Sequence, residues 1–329
     1  MGGDHGPTVV VPATVELLKE RPEVSAILVG DEGVISALLA SASAGVQARC
    51  SIQHTTQVVA MDELPTKALR SKKDSSMRVA VDLVKRGEAQ ACVSAGNTGA
   101  LMATAHFVLK TMPGIDRSAI ITTLPSQTGH TLMLDLGANV LCSADNLFQF
   151  AVMGVELARI LHQVENPSVG LLNIGTEVSK GNQLVQDAAE LLSGSDLNYY
   201  GFVEGNDIYA GTTDVVVCDG FVGNVSLKVT EGVAAMISHF MREEFSRNLT
   251  SKAAALASSG VLKALRQRLD HRRYNGASLI GLQGIVVKSH GGSDVYAFKH
   301  SIETAVIEAQ NDIVGHIANR LETLLGTAA

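Results

Sequence analysis

The sequence has 329 residues, 46% apolar and 18% charged: enough to bury a sizeable core, and too little charge for a disordered chain. Its 33 acidic residues outweigh 26 basic ones, giving a net charge of −7; with 4% aromatics and no tryptophan, this excludes a general nucleic-acid binder. Glycine is in excess at 31 residues, which points to many tight loops where main chain approaches something closely.

The N-terminus carries no basic and apolar leader, so no signal peptide is expected, and Gly6 stands where a myristoylation signal needs Ser or Thr. In chain order, periodicity predicts a helix over 8–19, a strand over 26–29, a helix over 33–39 and a strand over 48–52. A helix over 76–85, a strand over 91–94 and a helix over 99–109 follow. The charge-free stretch 89–109 holds Gln90, Ser94, Asn97, Thr98 and two glycines, so it fails as a membrane span. Strands are predicted over 120–124, 131–134, 169–173, 215–218 and 285–288, and helices over 145–161, 183–192, 225–245, 261–269 and 295–324. This alternation, without a repeat or a Pro/Ser-rich linker, predicts one α/β domain over 1–329 with helices on both faces of a mostly parallel sheet. Cys50, Cys92, Cys142 and Cys218 form no CxxC pair; they are expected to be reduced core thiols of a cytosolic protein, and no metal site is expected.

Five times an apolar strand runs into a short Gly/Asn/Ser loop before a helix: 93–99, 134–139, 172–181, 218–224 and 287–292. An ordinary turn capped by Asn or Ser explains any one of them. Five such loops, carrying Asp135, Lys180, Asp219, Lys288 and His290, point to one polar anion-binding cleft at the carboxyl edge of a parallel sheet. No G-x-G-x-x-G, Walker loop, H-E-x-x-H or G-x-S-x-G is present, which weighs against dinucleotide, nucleotide, zinc-protease and serine-hydrolase chemistry. Residues 242–273 carry eight cations and three anions, a local +5 within a chain of −7. Val261, Leu262, Leu265 and Leu269 share one helical face there, so the segment reads as a docking surface for an acidic partner or an anionic membrane.

Taken together, the junctions resemble the phosphate acyltransferase family. The resemblance runs in order through Met1-Gly2-Gly3-Asp4-His5-Gly6-Pro7, Asp74-Ser75-Ser76-Met77-Arg78, Ser94 to Ala100, Gly114-Ile115-Asp116-Arg117 and Leu134 to Asn139. It continues through Asn173-Ile174-Gly175, Glu177, Lys180-Gly181, Cys218 to Asn224 and Lys288-Ser289-His290-Gly291. It implies a three-layer α/β/α sandwich of the isocitrate/isopropylmalate-dehydrogenase kind, a homodimer with a helical dimerisation or docking excursion near 230–275, and no cofactor. It also implies the reaction of an acyl-[acyl-carrier-protein] thioester with inorganic phosphate to give acyl phosphate and free carrier protein. The product then passes to a membrane glycerol-3-phosphate acyltransferase in phospholipid synthesis, and the enzyme is cytoplasmic and peripherally membrane-associated. In the family pattern an apolar strand ending in Asp-x-Met precedes the Gly-Gly-Asp. Met1 occupies that Met here, so this strand is expected to be missing, leaving a gap in the sheet and depriving the first helix of a neighbour.

The chemistry needs groups that gather a dianion, stabilise an oxyanion and tolerate a thiolate leaving group. Ser94, Gly96, Asn97, Thr98 and Gly99 are candidates to cradle phosphate, with Asp135, Asn139, Asn173 and Gly175 as further substrate-binding positions. Lys180, Lys288 and Arg78 are candidates for charge balance, Asn224 for the oxyanion, and Asp219 or His290 for proton movement. Arg266, Arg268, Arg272 and Arg273 are candidate carrier-protein contacts, and Val261, Leu262 and Leu265 candidate membrane anchors. The competing readings are a non-catalytic scaffold that recruits carrier protein or the downstream acyltransferase, and a phosphate acetyltransferase-like enzyme.

Overall fold

The structure is a computed structural model describing residues 1–326, with the side chains of 265–269, 271, 325 and 326 outside the description. The chain opens with α1 (Pro7–Glu20), β1 (Ala26–Gly30), α2 (Glu32–Leu39), α3 (Ala44–Gln47), β2 (Cys50–His54), α4 (Pro65–Ser71) and α5 (Ser76–Lys85). Next come β3 (Ala91–Ser94), α6 (Thr98–Leu109), β4 (Ala119–Ser126), β5 (Gly129–Leu134), α7 (Ala144–His162), β6 (Ser168–Leu172), α8 (Gln183–Ser193) and β7 (Asn198–Val203). The remainder is α9 (Asp207–Ala210), β8 (Val215–Val217), α10 (Gly220–Ser246), α11 (Leu249–Ala257), α12 (Ser259–Leu269), a 3-10 turn (His271–Tyr274), β9 (Ala277–Ile280), β10 (Ile285–Lys288), α13 (Val295–Gln310) and α14 (Ile313–Gly326).

Eight strands form one sheet in the order β3-β10-β9-β4-β5-β8-β6-β7, and β1 and β2 form a separate parallel pair. Strands β5, β8, β6 and β7 are mutually parallel, as are β3 and β10, but antiparallel pairings at β10–β9, β9–β4 and β4–β5 set the two groups against each other. The register makes this concrete. Val287 faces Ser278, Ser278 faces Ile121, and Ile121 faces Leu134. Lys288 and Asp135 therefore step away from one level in opposite directions, and the expectation that all five junctions leave one carboxyl edge is corrected. A strand's composition carries no direction, so the reversal had no signal in the sequence.

Central strands β5 and β8 are covered on both faces, and Leu132–Leu134 and Val215–Val217 are fully buried, as continuous apolar runs require. On one face α7 runs through the core, burying Phe150, Val152, Met153 and Leu157 with α13 and α14 against Ile121, Leu134 and Val217. On the other, Met77, Leu101, Leu136 and partly buried Leu227 join α5, α6, the 135–139 loop and α10 in one cluster. Helix α1 packs on α13 and α2, and the Arg49 guanidinium donates to the Leu18 carbonyl in its last turn and to the Arg21 and Val24 carbonyls just beyond it.

Three expectations shift. Strands β7 and β9 were not predicted: Asn198 and Gly201 blur the alternation of the first, and the second has only four residues. The helix predicted over 295–324 breaks at Asp312, whose positive φ of 46° is held by its carboxylate accepting the Gly315 N–H. The helix predicted from 225 starts at Gly220, capped by Asp219. All four cysteines are free; Cys92 and Cys218 are buried and Cys50 and Cys142 partly so.

Glu308 of α13 lies buried against the Ser278 hydroxyl of β9, and burial pushes its carboxyl from 4.5 up to about 7. The folded protein binds this proton more tightly than the unfolded chain, so stability falls as pH rises from about 4.5 to about 7. The contribution is on the order of 3 kcal/mol. Urea titrations across this window show the Glu308→Gln variant losing less stability than the parent; parallel pH profiles would refute it.

Candidate active site

The first polar group stands at the carboxyl ends of β5, β6 and β8. After a cis Leu134–Asp135 peptide, the fully buried Asp135 carboxylate gathers the loop. It accepts the N–H groups of Ile120, Gly137, Ala138 and Asn139 and the Asn139 side-chain amide, at 2.7–3.2 Å. Burial raises the Asp135 pKa, and these donors oppose the rise. Helix α10 begins against this loop: the Gly220 N–H donates to Asn139, and a Cβ on Gly223 would sit 1.9 Å from the Asp135 carbonyl oxygen. Only glycine admits that approach. Asp219 accepts the Phe221 and Val222 N–H groups as the cap, and Asn224, one turn in, lies against Gly137. In the β6 loop the Asn173 amide holds the Lys180 carbonyl, and Gly181, at φ +90°, leaves room for the Asn173 side chain. Lys180 itself is exposed. This edge thus presents a long helix N-terminus, an ammonium and amide side chains, a setting that favours an anion.

The second group stands at the carboxyl ends of β3 and β10, where the N-terminal loop joins them through the Asp4 N–H to the Gly291 carbonyl and close packing of Gly2 on Gly96. Ser94 accepts the Gly96 N–H. Asn97 caps α6, and its amide donates to the carbonyls of Ala60, Met61 and Glu63; Thr98 and Gly99 form the first turn, with Gly99 against Pro65. Lys288 is buried, its ammonium donating to the Ser289 carbonyl; burial, opposed by Asp4 and reinforced by Lys228, lowers its pKa to about 8. His290 Nδ1 accepts the Gly292 N–H. Helix α10 links the two groups: Asn224 abuts the 135–139 loop, and about one turn of helix further on stands Lys228, whose charge reaches Lys288.

These contacts give several of the predicted residues a structural role. Asp135 and Asn139 shape the loop from within rather than facing a substrate, and Asp219 serves as a helix cap. Arg78 pairs with Asp82 one turn along α5 and lies over Phe107. Arg272 is held by Asp270 and Asp294 and lies over Tyr296, and Arg273 is exposed and lines a cavity between β4, β5 and the end of α7. The basic segment folds as α11, α12 and a 3-10 turn; Val261 is exposed and Leu262 partly so, while the side chains of Leu265, Arg266 and Arg268 lie outside the described residues.

Sequence reasoning missed three features. Lys228 looked like one more surface lysine of a helix. Asn275 bonds Ser289, Ser293, Ser301 and the Ala297 carbonyl while accepting the His290 N–H, pinning the β10 loop to α13. Leu141, Ile174, Val178 and Phe221, each 62–86% exposed, ring the first group with apolar surface. Those apolar residues sit one or two positions from the polar ones, so periodicity alone does not set them apart.

The family model described as fatty acid synthesis protein matches residues 1–315. A phosphate acyltransferase from Nitrosococcus oceani is 58% identical over 325 residues, covering 99% of this chain and 96% of the relative. One from Methylococcus capsulatus is 57% identical, covering 98% and 95%. Among solved structures, a phosphotransacetylase from Streptococcus pyogenes matches with a TM-score of 0.63 at 20% identity, covering 92% and 91%. A branched-chain phosphotransacylase from Enterococcus faecalis matches with a TM-score of 0.54 at 13% identity, covering 93% and 97%. The fold is thus shared with the phosphotransacylases, and the identity along the whole chain goes further: the protein belongs to the phosphate acyltransferase family of fatty acid synthesis proteins and is an acyltransferase.

Proposed function

We propose that the protein transfers the acyl group of an acyl-[acyl-carrier-protein] to inorganic phosphate. A phosphate oxygen attacks the thioester carbonyl, the carbon–sulfur bond breaks, and acyl phosphate and the carrier thiolate leave. A thiol of pKa about 8.5 departs as thiolate without a strong general acid. The observation that carries this reading is the apolar ring of Leu141, Ile174, Val178 and Phe221 around the Lys180 and Asn224 edge, which suits an acyl thioester beside an anion. Lys180 balances phosphate charge, and Asn224 with the start of α10 stabilises the oxyanion.

The whole chain acts as one catalytic unit in this reading, in the cytoplasm and at the membrane surface. Val225, Val229, Val233, Met236 and Phe240 form an exposed stripe along α10, the apolar face that a homodimer needs. The α11–α12 excursion meets the acidic carrier protein or an anionic membrane, close to a membrane acyltransferase that consumes the acyl phosphate. Among the described residues no helix is long and apolar enough to cross a membrane.

The test follows thiol release from acyl-carrier protein and from acetyl-CoA, with and without phosphate. Release that needs phosphate and favours the carrier-protein substrate is expected, with hydroxylamine trapping the product only when phosphate is present. A stoichiometric thiol burst and an acylated enzyme without phosphate would overturn direct attack. Faster turnover of acetyl-CoA would move the assignment to phosphate acetyltransfer.

A further inference from the structure

The proposed reaction uses the Lys180 and Asn224 edge and leaves the second polar group, around Lys288, without a task. Lys288 ends β10, is 8% exposed, and its ammonium donates to the Ser289 carbonyl. Among the described residues it has no ion-pair partner, so its other donors stay open. A buried ammonium is costly unless an anion meets it. The charged groups facing Lys288 do not offset that cost. Asp4, from the N-terminal loop, attracts it but lies along Gly291 and Gly292; Lys228 of α10 repels it and is itself paired with Glu231. Burial outweighs the pull of Asp4, and the Lys288 pKa stays lowered, at about 8.

Beside Lys288, β3 leads into α6. Ser94 lies opposite Lys288 in the ladder, and Asn97 caps the helix by accepting the Ala100 N–H. No described acceptor takes the Thr98 and Gly99 N–H groups of the first turn. A buried, under-compensated cation and a helix N-terminus thus converge on a place for a second anion.

The span between the two polar groups identifies its source. Val287 and Leu134 share one level of the sheet, three strands apart. At ~4.8 Å per strand, and one residue further along each strand in opposite directions, Lys288 and Asp135 are about 16 Å apart at the main chain. An acyl carrier presents its thioester on a pantetheine arm that ends in a phosphodiester. Roughly 13 bonds separate that sulfur from the phosphorus, about 15 Å when extended. With the thioester carbonyl at Asn224, such an arm runs beside the first turns of α10 and brings its phosphate to Lys288.

We infer that Lys288, with the first turn of α6, binds the phosphate of the acyl donor's pantetheine arm, so that the donor spans both polar groups. The inference rests on the proposed acyl transfer for its donor and leaves inorganic phosphate at the Lys180 edge.

Calorimetric titration with 4′-phosphopantetheine, which carries no acyl group, reads binding without turnover. Binding at least tenfold tighter than that of pantetheine is expected, with the preference unchanged by added inorganic phosphate and lost in Lys288→Met. In the parent protein the Lys288 side-chain NMR signal shifts with phosphopantetheine and not with pantetheine, a readout that needs no variant. Equal affinity for the two compounds overturns the inference, as does a preference that survives in Lys288→Met or a Lys288 signal unmoved by phosphopantetheine. Displacement of phosphopantetheine by inorganic phosphate would give the Lys288 site to the attacking phosphate and overturn it too. Absence of thiol release strikes the acyl-transfer reading alone, because these titrations need no turnover.

Discussion

Replacement of Asn224 by alanine lowers kcat by about 10²–10³ with little change in the KM for either substrate, the loss typical of one removed oxyanion donor. Asn224 stands one turn into α10, packed against Gly137, and Gly223 before it touches the Asp135 carbonyl, so its backbone is fixed before substrate arrives. An interaction made only in the transition state shows in kcat; one made equally in the ground state shows in KM. Lys180→Ala behaves differently. In the proposed reaction its exposed ammonium meets phosphate on arrival, so the variant is expected to raise the KM for phosphate as well as lower kcat. Steady-state kinetics with phosphate and acyl-carrier protein varied separately decide both. An Asn224→Ala enzyme within twofold of the parent kcat would remove that residue from the chemistry.

Asp135→Ala produces the second large effect, in stability rather than rate. The carboxylate accepts four backbone N–H groups and one side-chain amide, from its own loop and from Ile120 of β4. Its removal leaves buried donors without partners at roughly 1–3 kcal/mol each. Against a total of roughly 5–15 kcal/mol for a native protein, the loss is severe. Chemical unfolding shows a lower midpoint and an unfolding free energy reduced by several kcal/mol, and the start of α10 loses protection from hydrogen exchange. A variant unfolding at the parent's midpoint would show that water replaces the carboxylate, and that Asp135 does not organise the loop.

Much of this architecture was written in apolar runs. Val215–Val217 and Leu132–Leu134 announce strands buried on both faces, and the pattern of α7 announces a helix buried nearly all round. The Gly/Asn junctions likewise marked where strands end and helices begin. What lay beyond reach was relational. The direction of β3 and β10 depends on strands β9 and β4 between them, and β9 is too short to stand out. Asp135 reads as an acid in a polar loop, and only the fold reveals that its oxygens are consumed by its own neighbours. Arg272 reads as a docking charge until Asp270 and Asp294 are seen beside it.

The strand order also sets a schedule for synthesis. Strands β9 and β10 lie inside the sheet between β3 and β4, yet they come from residues 277–288, near the end of the chain. At ~5–20 residues per second a ribosome takes roughly 10–30 s to pass from the end of β4 to the end of β10. Throughout that interval β3 has no strand partner and β4 has only β5, so both offer open edges to any passing chain. The final strands are a keystone: the nascent protein is most exposed to aggregation while its core is nearly all present, and it is released from that hazard only when β9 and β10 slide into place.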